Sequence, residues 1–137
     1  MHIVPMLQVA SIRMSSDWYR DVVGLTPGHG GDEFEMLFAA EPFASPLLVQ
    51  LHLWDAHAHG DLGTPDLPVG NGVSLWFQVA TQTEFEAAWQ RTVKGAATVL
   101  QAPTWNPLAH HHEFALRDVD GYVVIVNTPF DPAGGAV

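Results

Sequence analysis

The sequence predicts an α+β fold built from two like βαβββ modules. Three observations carry the prediction. A five-residue pattern is written twice, Leu7–Ser11 (LQVAS) and Phe77–Thr81 (FQVAT), 70 positions apart. Each copy runs into a stretch bounded by helix-start and helix-stop signals. Each such stretch is then followed by segments of strand character.

The elements follow in order. In the first module, Ser15 and Ser16 are candidate N-caps, and Asp17 sits where a helix dipole favours an acid. Trp18 and Val22 lie one turn apart, and Gly24 can close the helix in the left-handed conformation. Thr26–Gly31 is poor strand material, a weak or bulged strand. Phe34–Phe38 and Leu47–Trp54 are better strands, separated by the breakers Pro42 and Pro46. In the second module, Thr81–Glu84 has the spacing of a capping box. Phe85, Trp89 and Val93 then recur at helical spacing, and Gly95 closes the helix. Thr98–Gln101, His111–Leu116 and Tyr122–Val126 follow as strands. The link Asp118–Gly121 (DVDG) carries the Asp-Gly hairpin signal. Module 1 covers about 1–56 and module 2 about 73–130, within one domain of 137 residues. The Gly, Pro and Asp content of about 57–72 reads as a linker. The tail after Phe130 reads as frayed.

Composition sets outer limits. An apolar fraction of 47% is that of a chain with a packed core. No apolar run approaches the roughly 18 residues of a bilayer span, and the N-terminus lacks a signal-peptide pattern. With no cysteine there is no thiol chemistry, and a cytoplasmic location is expected. A net charge of −10 argues against nucleic acid and anionic membranes and favours cationic partners, or simply keeps the protein in solution.

Three stretches, Pro5–Val9 (PMLQV), Trp18–Leu25 (WYRDVVGL) and Phe114–Tyr122 (FALRDVDGY), resemble in order and spacing the vicinal oxygen chelate superfamily. That family includes glyoxalase I, extradiol dioxygenases and the fosfomycin- and bleomycin-resistance proteins. The third stretch departs from the usual Asp-Pro-Asp-Gly in having Val119 for proline. The resemblance spans nearly all of residues 3–128. It implies that the two modules form a curled mixed sheet around a cleft with the helices outside, and that the protein is a homodimer. Strand alternation then nominates cleft-facing side chains. Leu7 and Val9 go under a helix, so Val4, Met6 and Gln8 face the other way. Leu75, Phe77 and Val79 do likewise, leaving Ser74, Trp76 and Gln78 facing in. Gln50, His52 and Trp54 share a parity.

Enzymes of the family bind a divalent metal through these strands. Counted from the repeat and from Asp118–Gly121, the family's ligand positions fall on Val4, Ser74, Gln50 and Ile125. Valine and isoleucine cannot ligate, and a divalent ion needs three or four good donors. No metal and no cofactor are therefore expected, the alternative being an atypical set around His52. Of His110, His111 and His112, adjacent on a strand, two at most converge, His110 with His112. His112 is expected at the cleft mouth; the alternative is an exposed loop. His57 and His59 read as linker polarity.

Trp18 and Trp89 are assigned to helix cores. Trp54, Trp76 and Trp105, the last on a loop, are left for an aromatic-lined pocket or for packing against a partner. Phe34 and Phe38, with Asp32, Glu33 and Glu35, offer rings and the negative potential that an aromatic cation prefers. The expected ligand-binding set is thus Met6, Gln8, Phe38, Gln50, His52, Trp54, Ser74, Trp76, Gln78, Trp105 and His112, with no catalytic residue assigned. No phosphate-binding glycine loop, nucleophile elbow or helical His-Glu-x-x-His motif is present. Three functions remain. The first is metal-independent sequestration of an aromatic, cationic or peptide-derived natural product, of the antibiotic-resistance type. The second is a metal-dependent enzyme with atypical ligands. The third is a metal-free enzyme or accessory protein in natural-product biosynthesis.

Overall fold

The computed structural model describes residues 1–28, 30–54 and 62–134. The chain divides into two compact units, Met1–Val69 and Gly70–Val137. Each holds one four-stranded mixed sheet and one α-helix, in the βαβββ order that the repeat predicts.

Unit 1 contains β1 (Met6–Val9), α1 (Ile12–Trp18), β2 (Thr26–Pro27), β3 (Phe34–Phe38) and β4 (Leu47–Leu53), in sheet order β1-β4-β3-β2. β1 runs parallel to β4, and the other pairs are antiparallel. The helix begins earlier than expected. Ser11 is its N-cap, its hydroxyl accepting the Met14 N–H at 3.2 Å. Ser15 and Ser16 are instead buried inside it, where their small side chains let the helix approach the sheet. Asp17 therefore lies near the helix end, paired with Arg20 at 2.9 Å.

A π-helical turn, Tyr19–Val23, follows α1 and ends at Gly24, whose φ of 92° suits glycine. This turn makes Tyr19 fully buried, while Trp18 stays half-buried with its ring edge-on to Tyr19. The expected core role of Trp18 thus passes to its neighbour. Leu7, Val9, Leu37, Val49 and Leu51 complete the core on the α1 side. β2 has two residues, in keeping with its weak sequence signal.

Unit 2 contains β5 (Ser74–Gln78), α2 (Gln82–Lys94), β6 (Thr98–Asn106), β7 (His111–Arg117) and β8 (Val123–Asn127), in the matching order β5-β8-β7-β6. The capping box forms. Thr81 Oγ1 accepts the Glu84 N–H at 3.2 Å, and the Glu84 carboxylate reaches back to the Ala80 N–H at 2.8 Å. The buried stripe of α2 is Phe85, Ala88 and Thr92, not Val93, which is exposed. Phe85 and Trp89 pack on Phe114 with ring centroids 5.2 and 5.3 Å away. At the end of α2 the left-handed residue is Ala96 (φ 49°), with Gly95 still helical.

β6 is longer than predicted. It runs through Pro103 to Asn106, which brings Trp105 onto a strand opposite His112 instead of a loop. Proline is tolerated because β6 is an edge strand whose pairing with β7 shifts register twice. The β7–β8 hairpin is tied by Asp118, whose Oδ1 accepts the N–H groups of Asp120, Gly121 and Tyr122 at 3.0, 2.9 and 2.9 Å. Residues 55–61, with His57 and His59, and residues 135–137 lie outside the described residues.

Candidate functional site

In unit 2 the two faces of the sheet differ in chemistry. Leu75, Phe114, Leu116, Val124 and Val126 form the core on the α2 side. The opposite face reads off the cross-strand rungs, because directly paired residues point the same way. Trp76 lies beside Ile125 and Ala115, and Gln78 beside Asn127 and Glu113. His111 shares the face, two residues before Glu113 on β7.

Trp76 is 49% exposed on this face. Its indole N–H donates to Ser74 Oγ at 2.8 Å, which holds the ring, and its centroid lies 5.9 Å from that of His111. His111 is buried. Its Nε2 meets Glu113 Oε2 at 2.7 Å, and its Nδ1 lies 3.4 Å from Asn127 Nδ2. The Asn127 amide also donates to the Thr128 carbonyl at 2.8 Å, which fixes its NH₂ end toward the imidazole. Glu113 Oε2 further accepts from Asn106 Nδ2 at 3.1 Å. Burial alone would push the Glu113 carboxyl up. Hydrogen bonds from Asn106, His111 and Gln101, together with the charge attraction of His111, outweigh this and hold it below its ordinary value.

The helix-free face of unit 1 is built on matching rungs. Met6 pairs with Gln50 and Gln50 with Met36; Gln8 pairs with His52 and His52 with Phe34. His52 Nδ1 donates to the Leu53 carbonyl at 2.9 Å, and its ring stands edge-on to Phe34 at 6.3 Å. Gln8 is buried, and Gln50 and His52 are half-buried. Trp54 follows β4, half-buried, with its N–H held by the Val9 carbonyl at 3.2 Å.

Phe38 is placed differently. It follows a register shift and is 4% exposed, packed on Phe43 and over Gly28, where an added Cβ would stand 2.4 Å from the Phe38 ring. Phe38 thus anchors the β2–β3 corner.

Ser74, Trp76 and Gln78 therefore share one face in unit 2, and Met6, Gln8, Gln50 and His52 share one in unit 1. Trp105 and His112 do not join the unit 2 set. They lie on the α2 side, 5.1 Å apart, with His112 6.3 Å from Phe85. His110 turns through φ 52° and packs its ring against Phe130 and Trp105. So it is Trp105 that His110 and His112 have in common, and His111 takes the helix-free face.

The acids are also redistributed. Asp32 and Glu33 are exposed. Glu35 is buried on the α1 side, accepting the N–H groups of Gly30 and Met36 at 2.8 Å each. Sequence reasoning missed His111 and Glu113. The signal was present: if Phe114 and Leu116 are core, alternation turns 111, 113 and 115 to the opposite face.

The sequence model of the Glyoxalase/Bleomycin resistance protein/Dioxygenase superfamily matches residues 2–126. The chain belongs to this family. Solved structures agree in fold. A glyoxalase-related enzyme from Fulvimarina pelagi has TM-score 0.73 at 16% identity, covering 100% of this chain and 96% of that one. A protein of unknown function from Agrobacterium tumefaciens has TM-score 0.72 at 17% identity, covering 95% and 94%. A glyoxalase/bleomycin resistance protein/dioxygenase family enzyme from Burkholderia phytofirmans has TM-score 0.71 at 18% identity, covering 91% and 95%. None of the curated proteins matches the chain.

At the positions expected to hold the family's metal, unit 1 presents Val4 and Gln50, and unit 2 presents Ser74 and Ile125. Ser74 Oγ already accepts the Trp76 indole N–H. Among the described residues, no three His, Asp or Glu side chains come together as a metal-holding group. A serine hydroxyl and a carboxamide lack the anionic donors that a divalent ion wants, so these residues do not fit one. No helix among the described residues is long and apolar enough to cross a membrane.

Proposed function

We propose that the protein binds a flat aromatic small molecule of natural-product type, carrying a positive charge, on the helix-free face of unit 2. It acts by occupancy, without a metal and without breaking a bond. One observation carries this reading: Trp76, a large ring nearly half exposed on a sheet face whose other side packs against α2. A rigid indole loses little entropy on stacking, and a planar guest covers its apolar face. Ser74 and Gln78, both exposed beside it, supply polar groups at the edge. The net charge of −10 favours a cationic guest over an anionic one. Members of the family often dimerise, and we extend that state to this chain.

Titration with planar cationic peptide antibiotics, read by tryptophan fluorescence, tests the proposal. Quenching should saturate at one equivalent per chain, and Trp76→Ala should abolish most of it. Mass spectrometry of the recovered ligand should show an unchanged mass. A changed mass would make the protein an enzyme, and unaltered quenching in Trp76→Ala would remove the assigned face. Sedimentation at micromolar concentration should give twice the monomer mass.

A further inference from the structure

Glu113 is the seat for the guest's positive charge: the geometry points to a built-in anion on the helix-free face of unit 2 that selects an organic ammonium or guanidinium attached to a flat ring. This deepens the reading above and rests on it. The hydrogen bonds orient the cluster step by step. The Thr128 carbonyl can only accept, so the Asn127 atom 2.8 Å from it is the NH₂ group. That same NH₂ faces His111 Nδ1 at 3.4 Å and offers it a hydrogen, so Nδ1 is the accepting nitrogen. Nε2 then carries the ring's hydrogen and donates it to Glu113 Oε2 at 2.7 Å. Glu113 thus only accepts in this cluster, and its carboxylate is the anionic group on the face. Asn106, which also donates to this oxygen, is uncharged.

Among the described residues, no lysine or arginine forms an ion pair with it. Arg13 and Arg20 pair with acids in unit 1. Arg91 and Lys94 are on α2, which packs on the other side of the sheet. Arg117 shares the face, but it is four residues along β7, about 13 Å at the rise of a strand, and donates to the Gly121 carbonyl. A carboxylate that is largely buried, braced by hydrogen bonds and without a lysine or arginine partner attracts a cation more strongly than a solvated surface acid does. The Trp76 ring adjoins His111, so a planar guest stacked on the indole holds its substituent beside this carboxylate. The electron-rich indole face adds to the same preference.

The test uses three probes of one shape on the full chain: 1-naphthylmethylamine (charged at pH 7), 1-naphthalenemethanol and 1-naphthoate. Calorimetry should show the amine binding at least tenfold tighter than the alcohol, with the naphthoate weakest. Glu113→Gln keeps an acceptor for His111 and removes the charge. It should bring the amine-to-alcohol ratio below about 3 while leaving the alcohol's affinity within twofold. Adding salt to the unaltered protein should weaken the amine and not the alcohol, which checks the charge without any substitution. Equal binding of amine and alcohol, or a ratio unchanged in Glu113→Gln, would overturn the seat while leaving the stacking face intact. Failure of all three probes to bind would remove both.

Discussion

The two sheets repeat one topology and nearly one register, yet the same rung carries opposite chemistry. In unit 1 it reads Gln8, His52, Phe34; in unit 2 it reads Gln78, Asn127, Glu113. One rung ends on an aromatic ring set against an imidazole, the other on a carboxylate braced by one. The carboxylate beside Phe34 in sequence, Glu35, points to the core side, where the Gly30 and Met36 backbone N–H groups satisfy it. Unit 1 thus uses its buried acid as a brace for a loop. Unit 2 keeps its acid on the helix-free face beside an exposed tryptophan. The scaffold is present twice, and single positions on one rung decide what each copy can hold.

The comparison can be broken most forcefully by making the rungs alike. Phe34→Glu puts a carboxylate on the unit 1 rung without the Asn106 and Gln101 donors that brace Glu113. His52 spends its Nδ1 hydrogen on the Leu53 carbonyl. The expected loss is about 3 kcal/mol of unfolding free energy, from burying a poorly partnered charge. Glu113→Leu, which strands the hydrogens of His111 and Asn106, should cost about 2 kcal/mol. Urea denaturation followed by circular dichroism measures both. If Phe34→Glu proves neutral, the rungs are interchangeable and the contrast fails.

The contrast sharpens with pH. The Glu113 carboxyl is held below its ordinary value because hydrogen bonds and the charge attraction of His111 outweigh burial. Its contribution is therefore fully present above the unfolded value of about 4.3 and lost as pH falls through the lower folded value. The urea midpoint of the unaltered protein should fall between pH 5 and pH 3 more steeply than that of Glu113→Gln. Parallel curves would show that the bracing is not coupled to folding. A smaller effect is expected for Trp76→Ala: binding is lost, but stability shifts by less than about 1 kcal/mol because the ring is half exposed. The smallest is Arg20→Ala, where only exposed ion pairs with Asp17 and Asp21 are lost and the midpoint should stay within error.

Much of this was legible from residue order. The repeat located both strand–helix units, Thr81–Glu84 did form a capping box, and the Asp118–Gly121 link did join two antiparallel strands. The start of α1 was not legible, because Ser11, Ser15 and Ser16 are equally good caps in isolation. Burial of the two later serines against the sheet decides the matter, and that is a tertiary effect. The stripe of α2 was misjudged for a related reason. Phe85, Ala88 and Thr92 lie on one helix face at i, i+3 and i+7, and Val93, about 100° farther round, turns to the exposed side. In the candidate site, Ser74, Trp76 and Gln78 followed from alternation after the repeat. His111 and Glu113 did not, although the start of β7 was read correctly, because alternation was not carried across from Phe114 and Leu116. Pro103 likewise disguised a strand, so Trp105 read as loop.

The most direct measurement is a proton–nitrogen correlation spectrum of the five indole N–H groups, with the Trp76 signal assigned through Trp76→Phe, during titration with 1-naphthylmethylamine. The account predicts a saturating shift of the Trp76 indole signal, accompanied by backbone shifts at Ser74–Gln78 and Glu113, with Trp18 unmoved. A stationary Trp76 signal while the amine binds elsewhere would contradict it.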